Sequence, residues 1–363
     1  MMDDETLASL LEAMPLPALL IGADARIRAV NAPGAQMFGA GLAGGLIGRH
    51  HAMAVRQPSL LAAIEAALLR GASADLRYAH ARAHARGPRE DVFRATVAPV
   101  GLGSGPGAGR AALCSFTDTT EAEQIAQIRR DFVANVSHEL RMPLTTLMGF
   151  IETLKGPARS DEAARLRFLE IMEREAGRMN RLVRDLLSLS RVEAEERQRP
   201  QGSCDMARLI GSVALTLAPM ATELGVKIVV AGAEGAAPGG FIVPGDSDQL
   251  VQVFQNLIEN AVKYGSPGKR VTVTLSLPDE DPILRQPAVA VEVRDEGEGI
   301  DPIHLPRLTE RFYRVDAHRS RAQGGTGLGL AIVKHIVQRH RGRLKITSEK
   351  GVGSRFLVVL PRR

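Results

Sequence analysis

Apolar and polar positions alternate with different periods along the chain and divide it into three zones. In the first zone, residues 5–118, short apolar runs alternate with glycine-rich turns. Residues 17–31 predict two strands joined by a turn at residues 22–25, and residues 91–99 and 111–117 predict two more strands. We therefore expect a small mixed α/β domain in this zone.

The second zone, residues 119–198, shows a helical period and almost no strand signal. Two long helices are predicted on either side of a break at residues 156–157, and each carries an apolar seam. One hairpin buries such seams poorly alone, so we expect a homodimer whose hairpins form a four-helix bundle. The seam residues are Val133, Val136, Leu140, Leu144, Leu147, Ile151 and Leu154 in the first helix, and Leu169, Met172, Ala176, Met179, Val183 and Leu186 in the second.

The third zone, residues 203–363, combines both periods. Alternating apolar positions predict strands at residues 271–277, 288–295, 343–349 and 354–360. Helical spacing predicts helices at residues 248–264 and 328–341. We expect an α/β sandwich here, which makes the whole chain a multi-domain α+β protein.

Composition narrows the class of protein. Hydrophobic residues make up 45% of the 363 positions and charged residues 24%, which excludes a disordered chain. The net charge of +5 is spread along the sequence and gives no argument for nucleic acid. Cys114 and Cys204 are far apart, so neither a disulfide framework nor a thiolate zinc site is expected. No signal peptide or transmembrane segment is predicted. If this is the whole natural chain, we expect a cytoplasmic protein, either free or held at the inner membrane by partners; a chain trimmed of membrane helices would look the same.

His138 lies off the apolar seam, two residues from both Val136 and Leu140. At about 100° per residue its side chain points roughly opposite that seam, so an exposed imidazole beside Glu139 is expected. A neutral imidazole is a competent nucleophile near neutral pH, and a neighbouring carboxylate can orient it. Pro143 is expected to perturb the helix.

The string FVANVSHELRMPLTTLMGFIETL, residues 132–154, resembles the phosphoacceptor box of bacterial sensor histidine kinases. The resemblance implies that His138 accepts a phosphoryl group and that Glu139 is the acid/base that activates it. Four residues after the acceptor, such kinases usually carry Thr or Asn, which is thought to orient water when the response regulator is dephosphorylated. This chain has Met142, which cannot donate a hydrogen bond, so we expect weak phosphatase activity.

Four patches in the third zone carry chemistry suited to a nucleotide. Asn256, Asn260 and Lys263 share one helix face, where amide oxygens suit Mg²⁺ and an amine suits phosphate. Asp295, at a strand end, can accept from the exocyclic amine of adenine if it is buried. In the third patch Tyr313 and Arg314 can reach the nucleotide. A glycine segment before the last helix offers backbone N–H groups to phosphate.

Each patch also has an ordinary interpretation, such as a solvated helix face, a plain turn or an aromatic core anchor. In this order and spacing, however, the patches resemble the ATP-binding domain of the GHKL superfamily, the Bergerat fold, which implies ATP and Mg²⁺ as cofactors. ATP hydrolases of that group carry Glu where this chain has Asn256, so the resemblance favours transfer to His138. The candidate binding residues are Asn256, Asn260 (also the metal ligand), Lys263, Tyr264, Asp295, Gly297, Gly299, Tyr313, Arg314, Gly325, Thr326, Gly327, Leu328 and Gly329.

Residues 304–337, including Arg319 and Arg321, resemble PhoR-type phosphate-regulon sensor kinases. This resemblance implies a separate PhoB-like response regulator as partner and phosphate availability as the signal. Residues 10–39 and 118–121 resemble a PAS domain, a fold that hosts many ligands and could here meet a phosphate-transport regulator. The predicted division is therefore a PAS sensor domain (5–118), a dimerisation and histidine phosphotransfer hairpin (119–198) and a GHKL catalytic domain (203–363). The alternatives are a degenerate kinase that acts as an ATP-dependent conformational switch, and a GHKL-type ATPase.

One strand of the first zone alternates basic or aromatic residues with alanine: Tyr78, His80, Arg82, His84 and Arg86. This pattern predicts one of two faces. One is a basic, pH-sensitive face for an anion, a lipid headgroup or an acidic partner. The other is an ordinary solvated sheet face. Cys114 lies on another predicted strand and is interpreted as a small apolar filler.

Overall fold

The computed structural model describes residues 4–39, 45–84, 87–101, 109–156, 158–159, 161–196, 198–232, 240–265, 270–316 and 325–362. The chain forms two compact units, residues 1–133 and 134–363. Pro157, Arg319, Arg321 and Arg86 lie outside the described residues.

The first unit is an antiparallel five-stranded sheet with helices packed against it. Its helices are α1 (Asp4–Glu12), α2 (Ala32–Phe38) and α3 (Pro58–Arg70), and its strands are β1 (Ala18–Ile21), β2 (Ile27–Val30), β3 (Ala74–His84), β4 (Gly87–Gly101) and β5 (Arg110–Asp118). The strand order is β2-β1-β5-β4-β3, so β5 is the central strand and lies between β1 and β4. The strands predicted at residues 17–31, 91–99 and 111–117 are confirmed.

The alternating strand β3 turns its aromatic residue inward. Tyr78 is buried and packs its ring against Phe38 and Phe116, and His80 contacts Phe38 and Phe93. The prediction of a solvated sheet face is therefore wrong at Tyr78 and His80, because both side chains pack against the aromatic core. Cys114 is fully buried in the same core, as its interpretation as a filler requires, and burial raises the pKa of its thiol to about 12.

Two long helices follow, α4 (Thr120–Lys155) and α5 (Glu162–Ala194). Helix α4 runs through Pro143 without ending there, although that residue has no N–H to donate to the carbonyl of Glu139. Large apolar side chains of both helices stay exposed in the single chain, including Leu144 and Met148 on α4 and Leu169 and Leu187 on α5.

The last part of the chain is a mixed sheet covered by helices. Its strands are β6 (Ser203–Asp205), β7 (Lys227–Ala231), β8 (Ile242–Pro244), β9 (Arg270–Ser276), β10 (Ala288–Asp295), β11 (Arg343–Glu349) and β12 (Gly353–Pro361), and its helices are α6 (Met206–Glu223), α7 (Ser247–Tyr264) and α8 (Gly329–Arg339). The main sheet has the order β11-β12-β10-β9-β7, in which the β7–β9 pair is parallel and the other pairs are antiparallel. The four strands and two helices predicted here are confirmed, and α6, β6, β7 and β8 are additions.

Helices α6, α7 and α8 pack their apolar sides on one another and on the sheet. Helix α7 buries Leu250, Val253, Phe254, Leu257, Ile258, Ala261 and Val262. This leaves its polar side, with Asn256, Asn260 and Lys263, facing away from the core. The amphipathic pattern of α7 therefore fixes where its polar residues can act.

Candidate active site

A cavity of about 390 Å³ lies between α7, the end of β10 and the segment before α8. Its lining includes most of the candidates from the sequence: Asn256, Asn260, Lys263, Tyr264, Asp295, Gly299, Tyr313, Arg314, Gly325, Thr326, Gly327 and Gly329. Gly297 and Leu328 support the wall without lining it. Patches that are far apart in the sequence thus surround one space.

Helix α7 supplies one wall of the cavity. Asp246 caps its first turn by accepting from the backbone N–H groups of Asp248 and Gln249, at 3.1 and 3.2 Å. The buried Nδ2 of Asn256 has no hydrogen-bond partner within the described part of the chain. Because such a donor costs free energy when it stays unpaired, it marks a place where a ligand acceptor fits. Lys263 is paired with Glu259 one turn before it on the same helix.

Asp295, at the end of β10, lines the cavity. Its side chain is 5% exposed and accepts from the backbone N–H of Gly297 at 3.0 Å and of Ser354 at 3.3 Å. Burial raises the pKa of this carboxyl, and the two N–H groups oppose the rise. The carboxylate is therefore held in a fixed position, where it can accept one more hydrogen bond from a ligand.

The segments that follow α7 and β10 touch at two glycines beside Asp295. A Cβ on Gly297 would lie 2.4 Å from the carbonyl oxygen of Tyr264, and one on Gly265 would lie 2.7 Å from the Cβ of Asp295. Real Cβ atoms do not come so close to other atoms, so both positions require glycine. This contact sets the distance between the two walls of the cavity.

The segment around Arg314 is held against the glycine segment. The backbone N–H of Phe312 donates to the carbonyl of Gly327 at 2.8 Å, and Gly327 has a φ of +73° that favours glycine. Arg314 is almost fully buried and donates to the carbonyl of Thr326 at 2.8 Å, while its Nε has no partner among the described residues. The spare donor of Arg314 fits an anionic ligand.

Tyr313 is positioned from outside the cavity. Its hydroxyl is 2.7 Å from Nδ1 of His304, and the guanidinium of Arg307 lies 4.3 Å from the centre of its ring. Both partners lie in a short 3-10 helix, Pro302–Arg307. The ring is thus fixed at the cavity by a cation–π contact and a hydrogen bond.

The helical hairpin meets this cavity through Glu139. His138 is exposed on α4, as predicted, and Glu139 next to it is buried. The Glu139 carboxylate accepts from Nη2 of Arg178 on α5 at 2.7 Å and from Nη2 of Arg314 at 3.1 Å. The candidate acceptor histidine is therefore one residue away from a carboxylate bonded to the cavity wall.

Helix α5 also reaches the cavity, through residues that the motifs did not indicate. Asp185 and Arg181 line it, and Asp185 accepts from the hydroxyl of Thr326 at 2.6 Å. Burial raises the pKa of Asp185, the Glu259 carboxylate adds to the rise, and the hydrogen bond from Thr326 opposes it. No short motif surrounds these two residues, so only their position on the polar side of α5 could have indicated them.

Further contacts attach the end of α5 to residues 203–363, which contain the cavity. Arg311 donates to Glu193 at 2.6 Å, and Arg339 pairs with Glu195 at 2.9 Å. Ser188 donates to the side chain of Gln252 on α7 at 2.8 Å. These contacts extend over more than one turn of α5, so the second hairpin helix is fixed at several points to the domain that contains the cavity.

Sequence comparisons agree with this geometry. The family described as the histidine kinase-, DNA gyrase B- and HSP90-like ATPase matches residues 245–363, and the His Kinase A phospho-acceptor domain matches residues 128–195. The phosphate regulon sensor protein PhoR of Pseudomonas aeruginosa is 41% identical over 244 residues, which are 66% of this chain and 51% of that protein. The sensor histidine kinase WalK of Bacillus subtilis is 38% identical over 67% of this chain and 38% of its own length.

Solved structures of histidine kinases are also similar to this chain. The match to full-length ShkA in complex with AMPPNP covers 64% of this chain and 45% of the ShkA chain, at 27% identity and a TM-score of 0.45. ThkA in complex with the response regulator TrrA covers 98% of both chains, at 18% identity and a TM-score of 0.48. Both TM-scores are below 0.5, so we draw no conclusion from them.

The chain spans about half the length of the Pseudomonas relative and less of the Bacillus one. Among the described residues, no helix is both long and apolar enough to cross a membrane. The matches lie over the hairpin and over the domain that contains the cavity. Residues 128–195 thus belong to the His Kinase A phospho-acceptor family, and residues 245–363 to the histidine kinase-, DNA gyrase B- and HSP90-like ATPase family.

Proposed function

We propose that this protein is a sensor histidine kinase that transfers the γ-phosphoryl group of ATP to His138 and then to an aspartate of a separate response regulator. The contact between Glu139 and Arg314 carries the proposal. It brings the helix of the acceptor histidine to the wall of a cavity built from the four nucleotide patches. A site for ATP hydrolysis would need no such contact.

For phosphoryl transfer, this chain must mainly position the reacting groups and neutralise the charge on the phosphates. A ring nitrogen of His138 attacks the γ-phosphorus, the bond from that phosphorus to the bridging oxygen breaks, and ADP leaves with the electron pair. The proton on the other ring nitrogen passes to Glu139. Lys263 and Arg314 face the charge on the phosphates, and Asp295 binds the adenine amine. The phosphohistidine is a high-energy donor, suited to an aspartate acceptor.

Mg²⁺ is a cofactor of the proposed reaction, and the polar side of α7 fits it. The amide oxygen of Asn260, at the cavity wall, is the kind of hard oxygen ligand that Mg²⁺ accepts together with phosphates and water. The described residues contain no cluster of three or more His, Cys, Asp or Glu that could hold a metal alone. Bound there, Mg²⁺ would neutralise phosphate charge, and Asn260 would orient it.

The remaining parts of the proposal concern assembly and signal. The exposed apolar residues of α4 and α5 support a homodimer in which two hairpins form a four-helix bundle. We assign residues 5–118 to a PAS sensor domain that contacts partners in the cytoplasm. The likeness to the phosphate regulon sensor protein PhoR of Pseudomonas aeruginosa supports phosphate availability as the signal. A PhoB-like response regulator is the partner that this signal would imply.

Autophosphorylation with γ-labelled ATP and Mg²⁺ tests the proposal. We expect an acid-labile, alkali-stable label on the wild-type chain that is absent from His138→Ala. His50→Ala, which changes an exposed histidine of the first unit, is the matched control and should label normally. Binding of ATP without any label would show a conformational switch, and phosphate release without label would show an ATPase.

A further inference from the structure

One face of α5 is turned toward the cavity and toward the helix that carries the acceptor histidine. On this face Arg178 donates to Glu139 at 2.7 Å, and Asp185 accepts from Thr326 at 2.6 Å. Arg181 lies between these two contacts. At about 100° per residue, the three α5 side chains leave the helix within about 60° of one another. Arg181 therefore faces the same space, and its side chain lines the cavity.

The two contacts lie at the two ends of the path that a phosphoryl group would follow. Glu139 is next to His138, the proposed acceptor, and Thr326 belongs to the glycine segment, whose backbone N–H groups suit phosphate. At a rise of about 1.5 Å per residue, Arg181 lies about 4.5 Å along the helix axis from the α5 residue of the first contact and about 6 Å from that of the second. It thus stands beside the gap that the γ-phosphoryl group crosses.

Arg181 brings a positive charge to a side of the cavity that also holds carboxylates. Asp185 and Glu259 line the cavity, and Lys263 is paired with Glu259. Burial raises the pKa of Asp185, and the charge of Arg181 is among those that oppose the rise. Transfer spreads negative charge over the oxygens of the γ-phosphate, where cations stabilise it. A guanidinium stays charged, and its planar fork can donate two parallel hydrogen bonds to phosphate.

We propose that Arg181 binds the γ-phosphate of ATP and neutralises its charge during transfer to His138. The inference rests on the proposed kinase function and adds a residue of the hairpin to the nucleotide site. Arg181 neither accepts a proton nor forms a covalent bond in this step. Because it belongs to α5, the site for the γ-phosphate is complete only where the hairpin meets the cavity, whereas the candidate residues for the rest of the nucleotide lie outside the hairpin.

Equilibrium binding of ADP and of a non-hydrolysable ATP analogue to the full chain, with Mg²⁺ present, tests this assignment. Arg181→Gln should weaken analogue binding about tenfold, because a charge-assisted contact with the γ-phosphate is lost, and should leave ADP affinity within about twofold of the wild type. The autophosphorylation rate at saturating ATP should also fall at least about tenfold, since the charge matters most during transfer. Arg181→Lys should keep most of the analogue affinity, because an ammonium group also pairs with phosphate.

The matched control is Arg184→Gln, three residues later on the same helix. Arg184 is exposed, its Nε donates to Asn180 at 3.4 Å, and its charge opposes the raised pKa of Asp185 as that of Arg181 does. This variant should change either affinity by less than about twofold, as expected for an exposed charge without a phosphate contact. Unchanged ADP affinity in Arg181→Gln shows in addition that the cavity of the variant is folded.

Three results would overturn the assignment: unchanged analogue affinity in Arg181→Gln, equal losses for ADP and the analogue, or an equal loss in Arg184→Gln. Equal losses for the two nucleotides would mean that Arg181 does not distinguish the γ-phosphate, and an equal loss in Arg184→Gln would mean that only the net charge of α5 matters. Absence of label on the wild-type chain would instead refute the proposed kinase function. Since nucleotide binding requires no transfer, the two failures are distinguished.

Discussion

Asp185 places a negative charge in a cavity that we assign to a triphosphate. Its carboxylate lines the cavity and accepts from Thr326, a hydroxyl that the glycine segment would otherwise offer to phosphate. Asp185→Asn removes the charge and keeps an oxygen that can accept the same hydrogen bond. We predict that this variant binds ATP more tightly than the wild type.

Electrostatics sets the size of the effect. Two unit charges of the same sign roughly 10 Å apart repel each other by about 1.7 kcal/mol at an effective dielectric constant of about 20. Since 1.4 kcal/mol corresponds to a factor of ten, the dissociation constant should fall about tenfold. Salt screens such a half-buried charge only in part, so the gain should shrink as ionic strength rises.

Titration with a fluorescent ATP analogue at two salt concentrations measures this gain. Glu173→Gln, which neutralises an exposed carboxylate on the same helix, is the control and should change affinity little. Weaker binding in Asp185→Asn would refute the argument, because it would mean that the carboxylate assists the nucleotide. An equal gain in Glu173→Gln would show that only the net charge of the chain matters.

Three further predictions follow from other sites. Asp295→Asn should weaken ATP binding about ten- to a hundredfold, because an amide that donates toward the adenine amine replaces a charged acceptor; a titration checks this. Met142→Thr should speed dephosphorylation of a phosphorylated response regulator, and an unchanged rate would refute the role given to that position. The Arg343 guanidinium holds the pKa of Asp281 at about 2, below its ordinary 3.8, so this pair should stabilise the fold by about 2 kcal/mol above pH 4. The stabilisation should be lost as the pH falls from about 4 to about 2. Asp281→Ala should therefore lower the midpoint of thermal unfolding. The control Asp279→Ala, at an exposed carboxylate, should leave that midpoint unchanged.

Local patterns predict four strands and two helices of residues 203–363, including the elements that surround the cavity. Helix α7 was predicted closely because its apolar and polar sides are cleanly separated and Asp246 caps its start. Strand β10 was predicted because its apolar run ends at a charged residue and two glycines. Helix α6 was not predicted, since its sequence is apolar on most sides and contains Pro219.

Contacts between distant elements could not be predicted from sequence. Asp185 and Arg178 lie in a stretch of α5 that alternates charges as any exposed helix does, and only the packing of α5 brings them to the cavity and to Glu139. The exposed His138 could be predicted, because its angle to the apolar seam depends on helix geometry alone. The partners of Glu139 could not, since Arg314 is far along the chain.

The glycine contact between α7 and β10 has a consequence for how this site can change. Gly265 and Gly297 let the segments that follow α7 and β10 touch beside Asp295, so the two walls of the cavity keep a fixed separation there. Side chains along these walls can be exchanged one at a time, but neither glycine can gain a methyl group without separating the two walls. The side chains that line the cavity can therefore vary far more readily than the separation of these two walls, so the width of the cavity beside Asp295 is the feature that substitution can change least.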